Sequence, residues 1–138
     1  MRLIYAVGLI TMMLLAGSPL LILLPPSAAY ALSPDTGLSA ADASFIGEDA
    51  GDQSGSSVAS AGDVNGDGYD DILIGAYGND DGGAGAGRTY LILGKASGWA
   101  TDTGLSAADA SFIGEDAWDR SGSSVASAGD VNGDGYDD

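Results

Sequence analysis

The chain has 138 residues, 20 of them acidic and four basic, which gives a formal net charge of −16 at pH 7. A surface of this sign repels nucleic acid and anionic membrane, and it attracts cations such as Ca²⁺. The chain contains no cysteine and no histidine, which excludes disulfides, thiolate chemistry, the commonest general base and most zinc sites.

The first 31 residues have the pattern of an export signal. Arg2 precedes an uncharged run of 22 residues from Leu3 to Leu24, and two prolines end this run. Ala29 and Ala31 then give the small-x-small spacing of a signal-peptidase site. We therefore predict a signal peptide at 1–31 and an extracellular location, either secreted or at the cell surface. The uncharged run is also long enough to span a bilayer, so an uncleaved membrane anchor is the alternative.

Residues 35–71 recur almost unchanged as residues 102–138, at an offset of 67. Of the 37 aligned positions, two differ: Gly51 aligns with Trp118, and Gln53 aligns with Arg120. Such a repeat indicates a structural module that is used more than once. We interpret Trp118 as a packing or neutral change, and contact with a partner is the alternative.

Short apolar or alternating runs within one repeat length are typical of strands. The runs have four to seven residues bounded by turn residues, which is too short for helices. They lie at 56–61, 71–76, 88–94 and 110–114. The glycine-rich segment 77–87 predicts a loop, and residues 105–109 predict at most one helical turn.

Four short antiparallel strands per repeat are typical of a β-propeller blade. We therefore expect an all-β fold of four-stranded antiparallel blades in an incomplete ring. The expected units are the tail of a preceding blade with a linker at 32–55, a complete blade at 56–114, and the truncated start of the next blade at 115–138.

The nine-residue segment 63–71, which returns as 130–138, concentrates oxygen-bearing side chains. Acids or a carboxamide stand at positions one, three, five and nine, with two glycines between them. Four acids so close together repel each other unless a cation joins them, and oxygen donors favour Ca²⁺. A metal-free turn rich in Asn-Gly and Asp-Gly is one alternative. An EF-hand is another, but it needs an acid at position twelve, where Ile74 stands.

Residues 55–76, which read GSSVASAGDVNGDGYDDILIGA, resemble an FG-GAP repeat, the blade of the integrin α-subunit propeller and of its bacterial relatives. The resemblance covers residues 45–94 as a full copy and 112–138 as a partial copy. Ser54 and Ser121 depart from the pattern, which usually has Phe there, and Tyr77 stands where Pro usually closes the motif.

The resemblance implies a set of metal ligands in each acidic loop. Side-chain oxygens would come from four positions and a backbone carbonyl from a fifth. In the first copy these are Asp63, Asn65, Asp67, Asp71 and the carbonyl of Tyr69; in the second they are Asp130, Asn132, Asp134, Asp138 and the carbonyl of Tyr136. Asp70 and Asp137 fall between ligand positions, so we expect them to face solvent or to lie behind the ligands.

We predict a non-enzymatic, exported, calcium-binding repeat module for adhesion or for binding a protein or glycan. The expected partners are calcium and an extracellular protein or glycan, without nucleic acid, and a membrane only if the leader is an anchor. Glu48-Asp49 and Glu115-Asp116 resemble glycosidase carboxylates, but they recur with the repeat, which favours a structural role. A non-catalytic scaffold or accessory part of a larger secreted hydrolase, and a purely structural repeat, are the alternatives.

Overall fold

The computed structural model describes residues 38–138, so the signal peptide predicted at 1–31 lies outside the described residues. This part of the chain is all-β, as predicted, and two single-turn 3₁₀ helices are its helical content. The strands are β1 (Phe45–Ile46), β2 (Ser57–Gly62), β3 (Asp71–Ala76), β4 (Arg88–Ile92), β5 (Thr103–Gly104) and β6 (Ala110–Ile113), and the 3₁₀ helices are Leu38–Ala40 and Leu105–Ala107.

A four-stranded antiparallel sheet with the order β2-β3-β4-β6 dominates the structure. Its strands overlap the four predicted runs, with ends that differ by at most two residues. Ile74 of β3 pairs with Val58 on one side and Tyr90 on the other. A β-bulge shifts the β2–β3 register between Ser60 and Gly62, immediately before the first acidic loop. The prediction of a blade-type sheet is confirmed, while the outer boundaries of the predicted units stay predictions.

The core lies on one face of this sheet. Directly paired residues project to the same face, and the alternate residues of β3 and β4 therefore meet there. The buried cluster consists of Ile74, Ala76, Tyr90, Ile92 and Leu105, with Phe45, Ile72, Trp99 and Ala108 packed against it. Burial of each isoleucine or leucine side chain in this cluster contributes roughly 1.5–3 kcal/mol, so this face supplies much of the stability of the sheet.

A second, two-stranded sheet pairs β1 with β5 in parallel. No pattern in the sequence indicated this pairing, which has only two residues per strand. Ser44 reinforces it, because its Oγ accepts a hydrogen bond from the amide of Asp102 at 2.7 Å and donates to Asp102 Oδ1 at 3.1 Å. The pairing holds Phe45 beside the core.

The second copy of the repeat forms no strand where the first copy forms β2. Residues 124–129 have the same sequence as β2, yet they form no strand. A strand requires hydrogen bonds to an adjacent strand, and residues 124–129 pair with none of the described strands. Ser121 makes an isolated bridge to Gly87, which brings this copy against the sheet.

Over residues 38–138, none of the helices has the length and apolar character needed to cross a bilayer.

Candidate functional site: the paired acidic loops

The first acidic loop, residues 63–71, connects β2 to β3, so the sheet holds both of its ends. Two glycines inside it adopt left-handed backbone conformations, with φ of 75° at Gly66 and 88° at Gly68. Side chains disfavour this region, which explains why glycine stands at both positions. The chain therefore turns tightly enough for the acidic side chains to face the backbone of the same loop.

The carboxylate of Asp63 organises the loop. Its Oδ1 accepts hydrogen bonds from the amides of Gly66 at 2.7 Å and Asp67 at 3.0 Å, and its Oδ2 accepts one from Gly68 at 2.8 Å. Three amides thus converge on one side chain. The loop curls around the residue predicted to be its first ligand.

The predicted third and fifth positions lie beside each other in the same loop. Asn65 Oδ1 accepts the amide of Asp67 at 2.8 Å, and Asn65 Nδ2 donates to Asp67 Oδ2 at 3.0 Å. Asp67 Oδ1 accepts the amide of Tyr69 at 3.0 Å, and the Tyr69 side chain is partly exposed. The structure therefore brings Asp63, Asn65 and Asp67 into one local network.

Asp71, the ninth position, is fully buried and acts as a brace. Its Oδ2 accepts the amide of Val64 at 2.9 Å, and its Oδ1 accepts the amide of Gly94 at 2.6 Å. These bonds connect the loop to the start of β3 and to the segment after β4. They satisfy a carboxylate whose burial would otherwise be costly.

The second acidic loop, residues 130–138, repeats this local network. Asp130 accepts the amides of Gly133 at 2.7 Å, Asp134 at 3.1 Å and Gly135 at 2.9 Å. The Gly135 hydrogen bond is the largest of several amide contacts that lower the pKa of Asp130 below its ordinary value. Asn132 again accepts the amide of Asp134, at 2.9 Å.

The last part of the second loop differs from the first. Tyr136 donates its amide to Asp134 Oδ1 at 3.0 Å, as Tyr69 does to Asp67. Asp138 accepts the amide of Val131 at 2.9 Å, but its other oxygen accepts Asn132 Nδ2 at 3.3 Å. In the first loop, the corresponding oxygen of Asp71 accepts the amide of Gly94. The second loop therefore has no hydrogen bond from its ninth residue to a segment outside the loop.

The donor set of each loop fits a hard cation in its chemistry, because every predicted ligand supplies oxygen. Oδ1 of Asp63 already accepts two amides, so the acceptor capacity that remains in the first loop lies on oxygens that accept only one, such as Asp63 Oδ2 and Asp67 Oδ1. Within residues 38–138, however, no group of three or more acidic side chains is arranged to hold a metal ion. Asp71 binds amides instead of joining Asp63 and Asp67, so the donors are close in sequence and only partly gathered in space.

The two loops also contact each other, which no pattern in the sequence indicated. Asp137 Oδ2 accepts the amide of Asp63 at 3.0 Å, and the amide of Asp137 donates to the Asp63 carbonyl at 3.2 Å. Asp137 was expected to face solvent or to lie behind the ligands, and it lies against the other loop. The only signal in the sequence was the acid at position eight of both loops.

Glu48, considered as a catalytic carboxylate, lies in a salt bridge. Its Oε1 is 3.2 Å from Nη1 of Arg88, and the same nitrogen is 2.7 Å from Asp81 Oδ2. Burial, followed by the Glu48 charge, raises the pKa of the neighbouring Tyr90 to about 12. The counterpart Glu115 is exposed. A carboxylate engaged by arginine in one copy and exposed in the other fits the structural role inferred from the repeat.

A cavity of about 370 Å³ opens beside the first loop. Its wall includes the aromatic rings of Phe45 and Trp99 together with the charged side chains of Asp67, Lys95 and Asp109. Lys95 lies over the Trp99 ring, 4.9 Å from the centroid. Aromatic and carboxylate groups therefore line one hollow next to the loop.

Ser54 lies at the departure from the FG-GAP pattern noted above. Its buried hydroxyl has no hydrogen-bond partner among the described residues. It lines a cavity of about 200 Å³ together with Phe45, Val58, Ile74 and Leu105. A small residue at this position thus leaves space against the core.

Residues 54–92 match the family model of the FG-GAP repeat. The match covers β2, the first acidic loop, β3 and β4. No curated protein has significant sequence similarity to the chain. The chain therefore carries an FG-GAP repeat, and that repeat contains the first acidic loop and three of the four strands of the blade-type sheet.

Proposed function

We propose that the chain is part of an exported, calcium-binding β-propeller protein that mediates adhesion or binds an extracellular protein or glycan. The observation that carries this proposal is the network of Asp63, Asn65 and Asp67 inside the loop that joins β2 to β3 of an FG-GAP repeat. Oxygen donors at such a junction are suited to Ca²⁺. A bound ion would neutralise the loop and stabilise the connection between the two strands.

The residues that would hold calcium are those implied by the FG-GAP pattern. They are Asp63, Asn65, Asp67, Asp71 and the Tyr69 carbonyl in the first loop, and Asp130, Asn132, Asp134, Asp138 and the Tyr136 carbonyl in the second. Because Asp71 is bound by Gly94 and Val64, we expect calcium binding to rearrange hydrogen bonds around it. This expectation is compatible with the weak affinities of extracellular calcium modules.

Export is supported by the apolar leader and its signal-peptidase spacing. The strong negative charge supports a role in a calcium-rich compartment, where the charge is compensated. A module without catalytic function is supported by the engagement of Glu48 with Arg88. A non-catalytic accessory part of a larger secreted hydrolase is the second candidate, and the same acidic loop would serve it equally.

We expect a glycan to bind in the cavity beside the first loop. Aromatic rings stack on the apolar faces of sugar rings, and carboxylates accept hydrogen bonds from hydroxyl groups. Phe45, Trp99, Asp67 and Asp109 offer both kinds of group. An array of immobilised neutral glycans, probed with and without CaCl₂, tests this. Binding that Trp99→Ala removes supports the proposal, and absence of binding to any glycan favours a protein partner.

Calorimetric titration of the full chain with CaCl₂ into the millimolar range tests the calcium proposal. We expect saturable heat, and a melting temperature that rises with CaCl₂ and falls with chelator. Asp67→Ala is expected to weaken both effects, whereas Asp70→Ala, at a non-ligand position of the same loop, retains them. Absence of heat together with an unchanged melting temperature in chelator would refute calcium binding and favour a metal-free turn.

A further inference from the structure

The wall of the cavity beside the first loop is assembled from separate parts of the fold. Phe45 of β1 and Thr103 of β5 stand on the two-stranded sheet, and Trp99 comes from the segment between β4 and β5. Asp109 follows the second 3₁₀ helix, and Asp67 belongs to the first acidic loop. Two half-buried rings and two exposed carboxylates therefore border one volume of about 370 Å³, which is large enough for a small ligand.

Lys95, which also lines the cavity, holds an ammonium group against one of these rings. Its Nζ lies over the Trp99 ring, 4.9 Å from the centroid, which is the geometry of a cation–π contact. Trp99 Nε1 donates a hydrogen bond to the Lys95 carbonyl at 3.1 Å, so the ring and the ammonium belong to one turn. Among residues 38–138, Lys95 makes no salt bridge, and its side chain is exposed. The ammonium is therefore held by a weak contact, and another cation can replace it.

Asp109 offers a carboxylate that the backbone already holds in place. Its amide donates to the Leu91 carbonyl at 3.1 Å, and its Oδ2 accepts the amide of Leu93 at 2.8 Å. Its Oδ1 accepts no hydrogen bond from a described residue. A fixed carboxylate with one free oxygen binds an ammonium group with little further loss of side-chain freedom. Asp67 adds a second negative charge to the wall, so the carboxylates outnumber the ammonium of Lys95.

We propose that this cavity binds an amino sugar, whose ammonium takes the place of the Lys95 ammonium. The rings of Phe45 and Trp99 contact the apolar face of the sugar, while Asp109 and Asp67 bind its ammonium and hydroxyl groups. Two aromatic rings favour a sugar over a lysine side chain, because a sugar ring offers an apolar face as well as a charge. The net charge of −16 attracts a cationic ligand. This inference rests on the glycan binding proposed above, but it does not depend on calcium.

Soluble oligomers of glucosamine and of N-acetylglucosamine, equal in length, test the proposal, because acetylation removes the charge and keeps the sugar ring. In Trp118→Phe, Trp99 is the one remaining tryptophan, so its fluorescence reports on the cavity. At slightly acidic pH and in chelator, we expect the amino form to bind about tenfold more tightly than the acetylated form. Equal affinities would overturn the amino-sugar inference and leave the glycan proposal standing. No response to either oligomer would overturn both, whereas calcium binding is decided by its own titration.

Asp109→Asn should reduce the preference for the amino form to about twofold, because asparagine keeps an acceptor for the Leu93 amide but loses the charge. Asp49→Asn is the matched control, since it removes an exposed carboxylate that does not line the cavity. This control should retain the full preference. The same preference in both variants would overturn the pairing of the ligand with Asp109.

Lys95→Met should bind the amino form about threefold more tightly than the unsubstituted chain, because no ammonium then has to leave the Trp99 ring. Weaker binding in this variant would overturn the displacement of Lys95 by the ligand. A lysine oligomer with the same number of charges provides the last comparison. If it binds more tightly than the glucosamine oligomer, the cavity recognises a basic protein segment and the amino-sugar proposal is wrong.

Discussion

The carboxylate of Asp71 accepts a hydrogen bond from the amide of Gly94 at 2.6 Å, although the two residues are 23 positions apart. Asp71 begins β3, and Gly94 follows β4, so this bond joins the ends of the two central strands next to the first acidic loop. The other oxygen of Asp71 accepts the amide of Val64 at 2.9 Å. One buried side chain therefore holds the loop and two strands together.

Asp71→Ala should destabilise the sheet even when no calcium is present. The substitution leaves the amides of Val64 and Gly94 without their acceptor, and unsatisfied buried groups cost roughly 1–3 kcal/mol each. We expect a loss of about 2–3 kcal/mol in the free energy of unfolding, measured by urea denaturation in chelator. Asp70→Ala is the matched control and should change stability by less than about 0.5 kcal/mol. Equal effects of the two variants would contradict the bracing role of Asp71.

Arg88→Met should destabilise the protein by about 1–2 kcal/mol, because it leaves the largely buried Glu48 without its partner and removes a cation–π contact. The Arg88 guanidinium carbon lies 5.2 Å from the centroid of the Tyr90 ring, and the Arg88 and Glu48 side chains are 18% and 20% exposed. Thermal melting of Glu48→Gln and Glu115→Gln provides the comparison. Only Glu48→Gln should lower the melting temperature, since Glu115 is exposed. A similar loss in both variants would argue against the salt bridge as the cause.

Tyr90 should make the protein less stable at alkaline pH. Burial, and then the charge of Glu48, raises its pKa from 10.0 to about 12. Because the folded state retains the proton longer than the unfolded state, the contribution is complete below pH 10 and is lost as pH rises towards 12. Urea midpoints measured between pH 9 and 12 should therefore fall less steeply in Tyr90→Phe.

At neutral pH, Tyr90→Phe should change the free energy of unfolding only slightly, because the buried hydroxyl has no hydrogen-bond partner among the described residues. An identical pH dependence in Tyr90→Phe and the wild type would show that another group causes the alkaline loss.

Trp118→Gly should leave stability within about 1 kcal/mol of the wild type, because two effects oppose each other. Trp118 adopts a φ of 70°, which glycine tolerates better, and its side chain is 69% exposed, so little burial is lost. Its ring does contact Gly85. Urea denaturation measures both variants. Trp99→Gly, which removes a ring packed against the core, should lower the free energy of unfolding considerably more than Trp118→Gly does. A loss above about 2 kcal/mol in Trp118→Gly would assign the ring a packing role.

The sequence by itself was sufficient for features that depend on near neighbours in the chain. Both acidic loops have the same network from Asp63 and Asp130 to the glycine amides, although only the first is held by a complete sheet. Hydrogen bonds over three to five residues form wherever the residues recur. The strands of the blade-type sheet were predicted for a related reason, since their lengths and apolar patterns are local properties.

Contacts between distant residues required the tertiary structure. Residues 124–129 repeat the sequence of β2 but remain irregular, because a strand depends on hydrogen bonds to a neighbour that the sequence of the strand does not encode. The same holds for the pairing of β1 with β5, for the bond from Gly94 to Asp71, and for the contact of Asp137 with Asp63. Asp71 shows the same dependence, because its burial rests on the segment after β4, which packs against the loop and donates the amide of Gly94.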